Sequence, residues 1–193
     1  ALASIQAGRL EIKKAGVDAS LAGLRRVSQT GFGKQLWFDG ELRDGAGSLG
    51  VDGMLPLRGA DGHLGFNQGV ATLQNFKAAY GDSQIQQLNG RYDLAPAGGG
   101  ALALQLHGDF NLAELREQLI SGQFSAQSVK RAQSLQELLG RSKIDFELKR
   151  GANAPVEING RAALDNVKLR YGDHSLSEIK GELLFTPKEI KSE

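Results

Sequence analysis

An internal repeat limits what this chain can fold into more than any other feature. Residues 71–95, ATLQNFKAAYGDSQIQQLNGRYDLA, lie without a gap over residues 162–186, AALDNVKLRYGDHSLSEIKGELLFT. Ala71/Ala162, Leu73/Leu164, Asn75/Asn166, Lys77/Lys168, Tyr80/Tyr171, Gly81/Gly172, Asp82/Asp173 and Gly90/Gly181 coincide. Other columns keep apolar character: Phe76 over Val167, Ile85 over Leu176, Leu88 over Ile179 and Leu94 over Phe185. Self-similarity of this kind marks a repeated supersecondary unit.

The second copy shows what the unit is. Val167, Leu169 and Tyr171 alternate with Lys168 and Arg170, the period of a strand with one wet face. Gly172 then supplies a positive backbone dihedral and Asp173 a local side-chain bond, so Tyr-Gly-Asp reads as a turn. A second apolar run follows through Leu176, Ile179, Leu183 and Phe185, which completes a β-hairpin. The apolar parity slips between Leu164 and Val167 and between Leu176 and Ile179, and at the matching places in the first copy. One extra residue swaps the faces of a strand, so a shared slip predicts a bulge or bend. Tyr80, Tyr171, Asp82 and Asp173 are accordingly read as turn and edge residues rather than catalytic ones.

Elsewhere strand period dominates. Leu10 and Ile12, then Val17, Ala19 and Leu21, predict two strands joined near Ala15 and Gly16. Residues 25–33 read as a polar connection, and Leu36, Phe38 and Leu42 as the next strand. Residues 43–47, RDGAG, carry an Asp-Gly hairpin signal. Leu49, Val51, Leu55 and Leu57 form a further strand with Pro56 near an edge or bulge, and residues 59–62 turn the chain again. Residues 96–100, PAGGG, read as a flexible loop before the strand of Leu102, Leu104 and Leu106. The 26 glycines against 4 prolines are taken as many turns between short strands.

The period changes once. Asn111 and Glu114 have capping-box spacing, and Leu112, Leu115 and Leu119 predict a helix over residues 112–121. After Gly122, Ser125 caps a second amphipathic helix whose stripe, Val129, Ala132, Leu135, Leu138 and Leu139, stops before Gly140. Ile144, Phe146 and Leu148 then restore strand period. Residues 150–154 turn the chain toward Val156 and Ile158, and residues 188–193 read as a charged tail or cut end.

Composition narrows the function classes. Lys plus Arg number 23 against 22 for Asp plus Glu, a net charge of +1 that offers no broad field for nucleic acid or acidic membrane. Without cysteine there are no disulfides or thiolate metal sites, which leaves the compartment open. No run reaches the roughly 20 apolar residues of a spanning helix, and no signal segment opens the chain. It starts on Ala1, which reads as a piece of something longer.

Chemistry-bearing patterns are few. Residues 45–50 spell G-x-G-x-x-G, but the β-period and Pro56 that follow deny the helix a nucleotide loop needs, and a hairpin turn is expected there. His63, His107 and His174 stand apart with no second histidine at ligand spacing. No nucleophile elbow accompanies the serines. The expectation is a non-enzymatic chain with no catalytic, cofactor-binding or metal-binding residues; a hydrolase is a minor alternative.

The apolar strand faces say more. In a single curved layer, Leu102, Leu104, Leu106, Phe146, Leu148, Leu169 and Tyr171 cannot all be covered by protein, and an open greasy trough suits acyl chains. Alternatively the two helices pack on this face and complete an ordinary α+β core.

The pattern apolar-x-Asn-apolar-Lys-x-x-Tyr-Gly-Asp, followed by apolar-x-x-apolar-x-Gly, resembles the recurring hairpin of the AsmA-like and TamB-like bacterial envelope proteins. Residues 162–171 and 176–185 carry the likeness, and residues 71–94 repeat it. The resemblance implies a repeating β-groove with a hydrophobic trough. It also implies periplasmic localisation as part of a protein anchored in the inner membrane, and movement of phospholipid toward the outer membrane.

The fold expected is mainly β with inserted helices: a single domain over residues 1–193, with repeated antiparallel hairpins forming a long curved sheet or groove. Repeat copies fall at 71–95 and 162–186, and the helical insertion at about 110–140. The function expected is lipid binding and transfer, with acyl chains against Leu102, Leu104, Leu106, Ile144, Phe146, Leu148, Val167, Leu169, Tyr171, Phe76 and Tyr80. Phospholipid and envelope proteins are the expected partners, and nucleic acid is not. The alternative is an assembly module that docks a partner by its sheet edge or helix pair.

Overall fold

The computed structural model describes residues 4–18, 35–48, 57–94, 100–121, 126–152 and 154–192. Among the described residues, ten strands form one antiparallel sheet in which each strand lies beside the next in chain order. They are β1 (Ser4–Val17), β2 (Leu36–Ser48), β3 (Leu57–Asn67), β4 (Val70–Tyr80), β5 (Ser83–Asp93), β6 (Leu102–Asn111), β7 (Leu135–Arg150), β8 (Glu157–Tyr171), β9 (His174–Phe185) and β10 (Ile190–Ser192). Two helices, α1 (Leu112–Ser121) and α2 (Ala126–Ser134), lie between β6 and β7. A meander needs only short connections between antiparallel neighbours, which suits a chain whose signals are local.

Several expected turns are bulges inside longer strands. Residues 43–47 do not reverse the chain: β2 continues to Ser48, Asp44 takes φ 47°, and the ladder to β3 shifts register after Leu42 and again after Gly45. Residues 59–62 likewise stay within β3, where the ladder to β4 shifts after Arg58. Ala15 and Gly16 lie inside β1, still paired with Phe38 and Trp37. A positive φ at Asp or Gly serves a bulge as well as a hairpin, and only the partner strand decides which forms. Of the G-x-G-x-x-G run, Gly45 to Ser48 is strand. Leu49 and Gly50 lie outside the described residues, as do residues 19–34, most of the strand expected to end at Leu57, and residues 96–99 of the expected loop. At the other end, Ile190, Lys191 and Ser192 pair with Phe185, Leu184 and Leu183 instead of forming a free tail.

The second helix is shorter than its stripe predicts. It ends at Ser134, and Leu135, Leu138 and Leu139 open β7, paired with Tyr171, Leu169 and Lys168 of β8. Leucines spaced three and four apart fit a helix, but a ready partner strand outweighs a few tenths of a kcal/mol of propensity per residue. The helices therefore complete no core over the whole sheet. α1 packs against α2, β7 and β6 at one end of the layer.

Buried residues form a band across the strands where the ladders shift. Leu42, Ala60 and Ala78 are buried together, with Leu57, Leu64, Phe76 and Ile85 packed around them. Farther along the sheet Phe110, Ala162 and Val167 are buried. The hairpins β4–β5 and β8–β9 shift at matching places, after Leu73 and Phe76 in one and after Leu164 and Val167 in the other. Asn75 and Asn166 both take φ 50°, and Gly81 and Gly172 take 55° and 57°. A bulge bends its strand and adds twist, so a line of bulges curves the layer and brings small residues inside.

Candidate functional site: the apolar face of the sheet

Cross-strand partners share a face, so the register sorts every side chain to one of two sides. On one side Phe76, Leu88, Leu106, Phe146, Gly160 and Phe185 follow one another, partner by partner, from β4 to β9. A parallel row runs through Leu64, Leu73, Gly90, Leu104, Leu148 and Ile158 from β3 to β8. Two bulges in phase keep both strands of each hairpin on the same side, which is why the rows survive the parity slips.

Glycines within these strands shape the surface. A Cβ on Gly62 would strike Phe76, one on Gly108 would strike the Phe110 ring at 2.7 Å, and one on Gly40 would strike the Phe38 ring at 2.9 Å. Large side chains occupy the space that strand glycines leave, the packing known as aromatic rescue. The glycine content read as turns from composition is in part this pairing of a ring with an empty position.

The register places all eleven expected lipid-contact residues on this side. Leu102, Leu104, Leu106, Ile144, Phe146, Leu148, Leu169 and Phe76 are half-buried. Tyr171 is 55% exposed. Val167 at 2% and Tyr80 at 8% are packed inside, so neither presents its side chain to a ligand. The same face also holds Leu64, Leu73, Leu88, Ile158, Leu183 and Phe185, which the sequence reading left out. Their parity was legible, but assigning it to a face required the bulges. Toward the edges exposure rises, with Leu10 at 44%, Ile12 at 58% and Leu176 at 55%.

The opposite side is polar and laced with ion pairs. Glu41 holds Lys13 and, at 2.9 Å, Arg43. Asp109 meets Arg141 at 2.8 Å, and Glu137 meets Lys168 at 3.0 Å. Hydrogen bonds from Lys13 and then Arg43 hold the Glu41 carboxyl down at about 2, and those bonds raise both cations. Lys149 lowers Glu147 in the same way. A cleft of about 490 Å³ on this side is lined by Gln105, His107, Asp145, Glu147, Asn159 and Arg161. Its amides and charges form a hydrogen-bonding surface, and the neighbouring cleft of about 420 Å³, with Gln74, Asn89 and Arg91, continues it.

Among the described residues no group of three or more His, Asp or Glu side chains gathers as metal ligands, and no helix is long and apolar enough to cross a membrane. His107 and Asp145 are cross-strand partners, while His63 and His174 lie on distant strands.

Fold and site together define an open, single-layer antiparallel sheet with one apolar and one polar face. Comparison of the chain with protein-family models, with characterised proteins and with solved structures finds no match.

Proposed function

We propose that this chain is a non-enzymatic lipid-handling segment of a bacterial envelope protein, and that its apolar face carries phospholipid acyl chains between the inner and outer membranes. The observation that carries this reading is the pair of apolar rows on one side of a single layer, one from β4 to β9 and one from β3 to β8, each made of leucine, phenylalanine or isoleucine with one glycine. Such a face is stable in water only against another molecule. Each methylene moved from water onto it contributes about 0.8 kcal/mol, so one acyl chain is held by many small, interchangeable contacts. The headgroup stays in water, and a tail slides from Phe146 to Leu106 to Leu88 without leaving hydrocarbon. The matched bulges and turns of β4–β5 and β8–β9 support reading them as two copies of one groove-building unit. The likeness to AsmA-like and TamB-like hairpins points the same way, to a periplasmic place in a longer, membrane-anchored protein that contributes to outer-membrane biogenesis.

A second reading, an assembly module, is favoured by one observation. Among the described residues, only Leu183 to Phe185 of β9 pair outward, with β10, so residues 174–182 have no described strand on that edge. Free edges accept strands from partners.

Native mass spectrometry of the purified chain is expected to show co-purified or added phospholipid. Leu104→Glu and Phe146→Glu should abolish that occupancy while the far-ultraviolet spectrum keeps its strand signal. Protein that stays lipid-free after mixing with phospholipid vesicles, or unfolding of both variants, sinks the proposal.

A further inference from the structure

The two hairpin tips have the same backbone and opposite surroundings. In β4–β5, Tyr80 pairs with Ser83 across Gly81 at φ 55°; in β8–β9, Tyr171 pairs with His174 across Gly172 at φ 57°. The first tip is bonded by Glu114 of α1. Asn111 caps that helix, its Oδ1 accepting from the Ala113 N–H at 3.0 Å. Glu114, the third helical residue, does not turn back to the cap; its carboxylate accepts from the Asp82 N–H at 2.7 Å and the Ser83 hydroxyl at 2.6 Å. Ser83 Oγ in turn accepts from the Asn111 N–H at 2.9 Å, and Arg141 donates to the Asp82 carbonyl at 3.2 Å. Tyr80 is 8% exposed and Ser83 1%.

The second tip is bare. Tyr171 and Leu176 are each 55% exposed, and Gly172, Asp173 and His174 are exposed beside them. The turn presents the Asp173 N–H where the first presents that of Asp82, and an imidazole stands in place of the Ser83 hydroxyl. A histidine N–H donates to a carboxylate as a hydroxyl does. Tyr171 and Leu176 supply apolar surface next to these donors.

We infer that the Tyr171–His174 tip is a docking site for an amphipathic helix of a partner protein carrying a carboxylate in its first turn. The occupant is specified by the precedent within this chain: what α1 does to one tip, a helix of the same chemistry does to its twin. The carboxylate takes the Asp173 N–H and the His174 imidazole, and the helix's apolar stripe covers Tyr171 and Leu176. The inference does not require lipid on the sheet, but Tyr171 and Leu176 belong to the same apolar face, so the test uses lipid-free protein.

The test is titration of the isotope-labelled full chain with a synthetic peptide of residues 110–121, FNLAELREQLIS, followed by amide chemical shifts. Saturable shifts are expected at residues 171–176. Glu114→Gln in the peptide should weaken binding about tenfold, because a charge-assisted bond is lost. Tyr171→Ser in the protein, at a site exposed enough to leave the fold intact, should also weaken it. Absence of shifts at 171–176 up to millimolar peptide, equal binding by the Glu114→Gln peptide, or shifts confined to residues 80–83 overturns the inference. Self-association without peptide that Tyr171→Ser abolishes also overturns it, since a second copy would then be the occupant.

Discussion

Glu41 shows how much of this sheet's polar face is written in single charges. Its carboxyl, paired with Lys13 and Arg43, titrates at about 2 against an ordinary 4.5. A carboxylate with a depressed folded pKa contributes stability that is fully present above 4.5 and lost as pH falls toward 2. The difference in urea midpoint between the parent chain and Glu41→Gln should thus be constant at neutral pH, shrink below pH 4.5 and vanish near pH 2. A pH-independent difference would show that the substitution acts through shape instead. The effect stays small because exposed ion pairs are screened. Asn75 and Asn166 illustrate the other kind of residue-level information. Each sits at φ 50°, which asparagine tolerates and β-branched residues do not. Asn75 also accepts a bond from Gln87 and donates its N–H to Asn89 across the hairpin. Their alignment was visible in the repeat, whereas their role as bulge residues required the ladder.

At the scale of elements, the helical insertion manages an edge. β6 stops at Asn111, opposite Arg141, so among the described residues no strand pairs with 135–140 of β7 on that side. α1 fills the gap, and Arg116 Nε donates to the Leu135 carbonyl. Arg116→Ala leaves that carbonyl without its charged donor and should cost about 1–2 kcal/mol in urea unfolding. Amide exchange in α1 should quicken, and Arg116→Lys should recover part of the loss. An unchanged midpoint for Arg116→Ala would remove this contact from the account of why the helices interrupt the meander. The first helix was readable from its cap and stripe. The second was over-extended by five residues of apolar spacing, Leu135 to Leu139, which pairing with Leu169 and Tyr171 converts into strand. Local period cannot distinguish the two when the deciding partner lies more than thirty residues away in sequence.

For the whole molecule, surface area is the telling quantity. The chain exposes 12630 Å², whereas a compact monomer of 20.6 kDa exposes about 8900 Å² by the usual size scaling. A single layer leaves one or both faces to water, which a compact two-layer fold does not. Small-angle scattering of lipid-free monomer should therefore give a radius of gyration clearly above the ~16 Å of a compact domain this size. A value at ~16 Å with a globular distance distribution would mean that the sheet closes on itself in solution.

The sequence by itself determined the alternation of greasy and wet side chains, the turn at each Tyr-Gly-Asp and the first helix, because these depend on neighbours a few residues apart. Only the tertiary structure decided which glycines bulge instead of turning, which leucines leave the helix for the sheet, and which of two like hairpin tips is covered. Those outcomes are set by the partner strand or helix that arrives from elsewhere in the chain, and a local pattern carries no record of it.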